Sequence, residues 1–177
     1  MRKVLYVFGL LTDEDVAWMV RAGRRRQVAR GETVISEGEP VDFIAILLDG
    51  EFLVTSNGGT VLARLGVGEV VGEISLVDSA PPSATIRASR DSRALVLLKA
   101  ELLARLEADP GFGSRFYRAL AVFLADRLRA ALHPVTAGPG SPDAGEIDIG
   151  VLDNLSAAGE RFHRMMRALD GAQGPVR

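Results

Sequence analysis

The sequence predicts an α+β fold: an antiparallel β-barrel or jelly roll with one helix before it and helices after it. Three observations carry that expectation. Short apolar runs broken by glycine-centred turns fill the chain from Gln27 to Leu98, at the intervals of about 8–12 residues typical of antiparallel sandwiches and barrels. A helix-capping signature with an acidic first turn precedes them. From Lys99 onward the apolar spacing becomes helical.

The elements follow in order. The start, MRKVLYVFGLL, is a short basic and apolar run without the longer apolar region and small-residue cleavage site of a signal peptide. No segment reaches the roughly 20 apolar residues that span a bilayer, so a cytoplasmic protein is expected. Thr12-x-x-Asp15 forms a capping box, Val16, Met19 and Val20 follow at helical spacing, and Gly23 ends the helix. Arg24-Arg25-Arg26 reads as a solvated strand start. Turns are expected at Gly31-Glu32, Glu37-Gly38-Glu39-Pro40, Asp49-Gly50-Glu51, Asn57-Gly58-Gly59 and Gly66-Val67-Gly68. Strand-length runs lie between and after them: VISE, FIAILLD, EFLVTS, TVLARL, SATIRA and RALVLLK.

AELLARLEADP is a short helix that must stop near Pro110. GFGSRFYRALAVFLADRLRAAL then places Tyr117, Leu120, Leu124 and Leu128 at spacings of three and four, with Phe116 and Phe123 widening the apolar face. A face this broad predicts packing on the chain's own barrel and on a second copy, hence a homodimer through Phe116, Tyr117, Leu120, Phe123, Leu124 and Leu128. The expected organisation is a domain over 1–132, a Pro/Gly/Ser-rich linker over 133–148 and a helical extension over 149–177. The extension carries Val151, Leu152, Leu155, Phe162, Met165, Met166 and Leu169 on an amphipathic pattern. It docks back on the domain or onto a partner.

Composition limits the chemistry. Of 177 residues, 47% are apolar and 25% charged, with a net charge of −2, which argues against a general nucleic-acid binder. The absence of cysteine excludes disulfides, thiolate metal sites and cysteine nucleophiles. His133 and His163 fall on separate segments, so no metal is expected. No serine–histidine–acid set or Walker loop is visible, so no enzyme is expected.

One stretch carries a binding signal. GEISLVDSAPPSATIRA, residues 72–88, has a glycine, an acid, an apolar turn, small residues and an apolar strand. Together with Gly31-Glu32, Gly38-Glu39, Asp49-Gly50-Glu51 and Gly68-Glu69, this ordered set resembles the cyclic nucleotide-binding domain of the catabolite activator protein and of protein kinase A regulatory subunits. The resemblance covers residues 10–132. It implies a phosphate-binding cassette in which Gly72 permits close backbone approach and Glu73 accepts a hydrogen bond from a ribose 2′-hydroxyl. Ile74 and Ser75 then supply backbone N–H groups of a short helix, and Ser83 and Ala84 a hydroxyl and an N–H from the other side.

The same resemblance implies an arginine paired with the phosphate, and here that position is Pro82. Proline has neither charge nor N–H. A hydrogen bond to a charged group contributes about 1.5–3 kcal/mol, so its loss weakens binding by roughly 10–100-fold. Arg87 and Arg64 are the nearest candidates to replace it, and strand alternation points both outward.

The function expected from sequence is a non-enzymatic regulatory or protein-interaction module of bacterial type, a bare domain on a cyclic nucleotide-binding fold with weak or altered ligand binding. The alternative is a working cyclic AMP or cyclic GMP sensor that signals through its C-terminal helices. No cofactor is expected beyond a weakly bound cyclic nucleotide. A homodimer and a protein partner are expected. DNA binding is not, because the stretch after Leu132 holds one evident helix, where a winged helix-turn-helix takes three.

Overall fold

The computed structural model describes residues 8–132 and 149–171. The expected linker over 133–148, His133 and the first seven residues lie outside them. A helical turn at residues 8–10 precedes α1 (Asp13–Ala22). The capping box is formed: the Asp15 amide donates to the Thr12 hydroxyl, and the Thr12 amide donates to the Asp15 carboxylate. Gly23 caps the C-terminal end.

Eight strands follow: β1 (Arg24–Val28), β2 (Thr33–Ile35), β3 (Phe43–Asp49), β4 (Phe52–Thr55), β5 (Val61–Leu65), β6 (Val70–Val71), β7 (Thr85–Ala88) and β8 (Ser92–Leu98). A one-turn helix, α2 (Ile74–Val77), lies between β6 and β7. The helices α3 (Lys99–Ala108), α4 (Pro110–Leu132) and α5 (Ile149–Gly171) complete the described chain. The strands form two antiparallel four-stranded sheets in the orders β1-β8-β3-β6 and β2-β7-β4-β5, the jelly-roll arrangement the sequence predicts. β6 is the one strand not anticipated, since two residues carry no readable alternation.

The register explains why β3 and β8 read as continuous apolar runs. Ile44 pairs with Leu97 and Ile46 with Leu95 on one face; Ala45 pairs with Val96 and Leu47 with Ala94 on the other. The first face meets the helices, in a core that includes Met19, Leu102, Phe112, Phe116 and Phe123. The second meets the other sheet, in a core that includes Val28, Ile35, Phe52, Leu65 and Ala88. Both faces are covered, so polar alternation is lost.

The turns behave as their glycines predict. Gly31, Gly38, Gly50, Gly59, Gly68 and Gly72 all adopt positive φ. At Gly50 the conformation is obligatory, because an added Cβ would lie 2.1 Å from the Ser92 hydroxyl oxygen at φ +102°.

α4 departs from the expected dimer face. Phe116, Leu120 and Phe123 are buried in the chain's own core, and Leu124 packs against it. The barrel and α1 use that stripe, which therefore is not free for a second copy. Tyr117 and Leu128 remain exposed. α5 packs on α1: Ala158, Met165 and Leu169 are buried, Phe162 meets Phe8 edge-on at 5.6 Å, and Arg161 and Arg164 both pair with Asp13. No helix among the described residues is long and apolar enough to cross a membrane.

Candidate functional site

The cassette begins where β6 ends. Gly72 adopts φ +82°, and an added Cβ would sit 2.5 Å from the Phe43 carbonyl oxygen, so only glycine fits this approach to β3. Glu73 stands at the start of α2 without capping it. Its side chain turns inward instead and is 2% exposed.

Arg127 of α4 meets that carboxylate. Its guanidinium donates to Glu73 Oε1 at 2.5 Å, to Glu69 Oε2 at 3.2 Å and to the Val70 carbonyl at 2.9 Å. It also stacks over the Phe123 ring, 4.4 Å from the centroid. Two buried carboxylates thus meet one guanidinium. Burial pushes the Glu73 pKa up, Arg127 pulls it down, and the Glu69 charge pushes it up again; the net direction is upward.

The remaining predicted residues separate into groups. Ile74 and Ser75 lie on α2, with Ile74 half exposed. Ser75 Oγ donates to the Gly72 carbonyl at 3.4 Å and accepts from Lys99 Nζ at 2.8 Å. Pro82, Ser83 and Ala84 form the segment entering β7. The Pro82 carbonyl accepts from the Gly38 amide, and the Glu37 amide donates to the Thr85 hydroxyl, so the β2–β3 turn braces that segment. A cavity of about 420 Å³ beside the cassette is lined by residues including Gly38, Val41, Ser75, Pro81 and Lys99. Of the predicted set, only Ser75 is among its lining residues.

Arg64 and Arg87 point outward as expected; Arg64 pairs with Glu51 across the sheet surface. The basic side chains that reach the cassette are Arg127 and Lys99, which sequence reasoning did not select. A signal for Arg127 exists: it falls four residues after Phe123 and seven after Leu120, on the buried stripe of α4, where an arginine needs a partner. Lys99 lies at the strand-to-helix junction, and nothing in its local sequence distinguishes it. Burial lowers its pKa, while Asp42 and Asp78 act to raise it.

Chemically, the arrangement offers a glycine-tight backbone turn and an inward carboxylate that can accept hydrogen bonds. The carboxylate is already engaged by a guanidinium, and position 82 carries a proline, with neither charge nor N–H.

The model of the family described as "Cyclic nucleotide-binding domain" matches residues 25–109. A cyclic nucleotide-binding domain of Methylobacillus flagellatus superimposes with a TM-score of 0.68 at 25% identity, covering 77% of this chain and 84% of that one. The N-terminal domain of a transcriptional regulator from Streptomyces coelicolor gives a TM-score of 0.58 at 31% identity, covering 80% of this chain and all of that one (100%). The cyclic AMP receptor protein of Thermus thermophilus is 31% identical over 129 residues, 71% of this chain and 58% of its own length. The chain spans only 27% of a Rhodopseudomonas palustris relative and 20% of mycobacterial ones.

Proposed function

Since the chain belongs to the cyclic nucleotide-binding domain family, we propose that it is a non-enzymatic regulatory module whose cassette is latched by its own helix α4 and binds cyclic nucleotides weakly. The observation that carries this reading is the Arg127–Glu73 contact. The acid that the family resemblance assigns to a ribose hydroxyl is held by a guanidinium of the same chain, while Pro82 withholds the phosphate's partner. The module acts in the cytoplasm through a protein partner. It pairs with a second copy through what α4 leaves exposed, Tyr117 and Leu128. The extension's helix α5 (Ile149–Gly171) serves as an element seated on α1.

The test is a thermal-shift titration of wild type and Pro82→Arg with cyclic AMP and cyclic GMP to millimolar concentrations. Wild type shifts little, and Pro82→Arg binds about 10–100-fold more tightly. A large saturable wild-type shift, reaching the stabilisation of about 2.7 kcal/mol expected at 100 times Kd, refutes the weak-binding reading.

A second reading, a working sensor, draws support from the intact backbone of the cassette and from its connection to a long helix. In that reading the nucleotide displaces Arg127 from Glu73 and frees α4. A ligand shifts such an equilibrium only by its differential affinity for the two states. The same titration, monitored by a change in α4 mobility, separates the two readings.

A further inference from the structure

α1 and α5 leave a groove between them that the cassette does not use. Its lining residues fall on one stripe of α1, at 13, 16, 17, 20 and 21, and one stripe of α5, at 161, 164, 165 and 168. The enclosed volume is about 320 Å³, at the lower end of the range for small-molecule pockets. The floor is apolar: Val16, Val20 and Met165, with Ala17 between them.

The charges at its edge are unequal. Arg21, Arg161 and Arg164 face one acid, Asp13. Asp13 is fully engaged, since Arg161 donates to it at 2.7 Å and Arg164 at 2.9 Å. Arg21 sits exposed at the far end of the α1 stripe and has no carboxylate partner among the described residues. The groove therefore has an apolar trough and, at one end, an exposed guanidinium with no carboxylate partner among the described residues.

We propose that this groove binds a straight-chain monocarboxylate, with its acyl chain in the trough and its carboxylate on Arg21. The planar guanidinium fork matches a carboxylate in a bidentate contact. From Val16 to Arg21 the stripe runs about 7.5 Å along the helix, and the reach of the Arg21 side chain extends it to the length of an acyl chain of about six to eight carbons. Bound there, the ligand touches both helices and fastens α5 to the domain. The proposal does not depend on the state of the cassette.

The test is calorimetric titration of the full chain with butanoate, hexanoate, octanoate and decanoate, with octanol as the uncharged control. Each added methylene tightens binding about fourfold until the trough is filled. Octanol binds at least about tenfold more weakly than octanoate. Arg21→Ala costs octanoate about tenfold and leaves octanol unchanged, and Arg21→Glu costs more. Ala17→Trp, checked for a wild-type unfolding midpoint, blocks octanoate by filling the trough. Because Arg21 is exposed, its variants fold even if Ala17→Trp does not. The proposal is overturned if octanoate gives no saturable heat at millimolar concentration, if chain length has no effect, or if both Arg21 variants bind octanoate as wild type does.

Discussion

Replacing Arg127 by methionine removes a cation and keeps most of its volume. Glu73, 2% exposed, then loses this guanidinium, and Glu69, 7% exposed, stays beside it. Removing one partner of a buried ion pair costs about 3–5 kcal/mol, because the other charge stays buried and uncompensated. At about 2–4 °C per kcal/mol for a chain of this size, the unfolding midpoint falls by roughly 6–20 °C.

The pH dependence identifies the cause. Glu73 already titrates above its ordinary 4.5, first through burial, and losing Arg127 raises it further. A carboxyl whose folded pKa is raised contributes fully below the unfolded value and loses that contribution as pH rises through the folded pKa. The Arg127→Met deficit is therefore largest at pH 8 and shrinks towards pH 4.5, where Glu73 is protonated. The assay is urea unfolding of both proteins across that range. Glu73→Gln should recover part of the loss in the double variant. A deficit below about 1 kcal/mol at pH 8, or one that is the same at pH 5, would falsify the claim that Arg127 exists to hold a buried charge.

Three further outcomes follow from the same structure. Asp15 is 1% exposed and accepts two bonds from Arg115, at 2.7 and 2.8 Å, so Asp15→Asn costs about 1.5–3 kcal/mol in chemical denaturation at pH 7. Burial works to raise the Asp15 pKa, but the hydrogen bonds from Arg115 and Thr12 outweigh it and hold it below 3.8; that deficit therefore fades only as pH falls past 3.8, well below the Glu73 window. Gly72→Ala meets the Phe43 carbonyl and a positive φ at once, and lowers the unfolding midpoint by several degrees while Gly59→Ala, with open space around it, costs less. Tyr117→Asp combined with Leu128→Asp leaves the core intact and shifts sedimentation from dimer to monomer; unchanged sedimentation removes α4 from the interface.

Local rules recovered most of the frame. The capping box at Thr12, the stop before Pro110 and the glycines of positive φ are dictated by residues within a few positions of each other. The cassette's backbone was legible for the same reason. Long-range charge pairing was not: Arg127 and Glu73 are 54 residues apart, and Lys99 and Ser75 are 24 apart. An apolar helical face also says that something covers it without saying what. Phe116, Leu120 and Phe123 were expected to serve both the chain's own barrel and a second copy, and the barrel side takes them.

In the reading proposed above, Pro82 and Arg127 weaken nucleotide binding through different terms. Pro82 removes a contact made in the bound state, a factor of roughly 10–100. Arg127 is paired with Glu73; a nucleotide that needs Glu73 would compete with it, and its apparent affinity would fall by the fraction of molecules in which Glu73 is free. Terms that act on different states at separate contacts add in free energy. Pro82→Arg and Arg127→Met should each tighten cyclic nucleotide binding, and their fold-changes should multiply in the double variant. If Arg127 instead closes over the bound nucleotide, Arg127→Met weakens binding and the double variant falls below Pro82→Arg alone. Equilibrium binding of the four proteins to cyclic AMP decides between a latch and a clamp, since the sign of the Arg127 term differs.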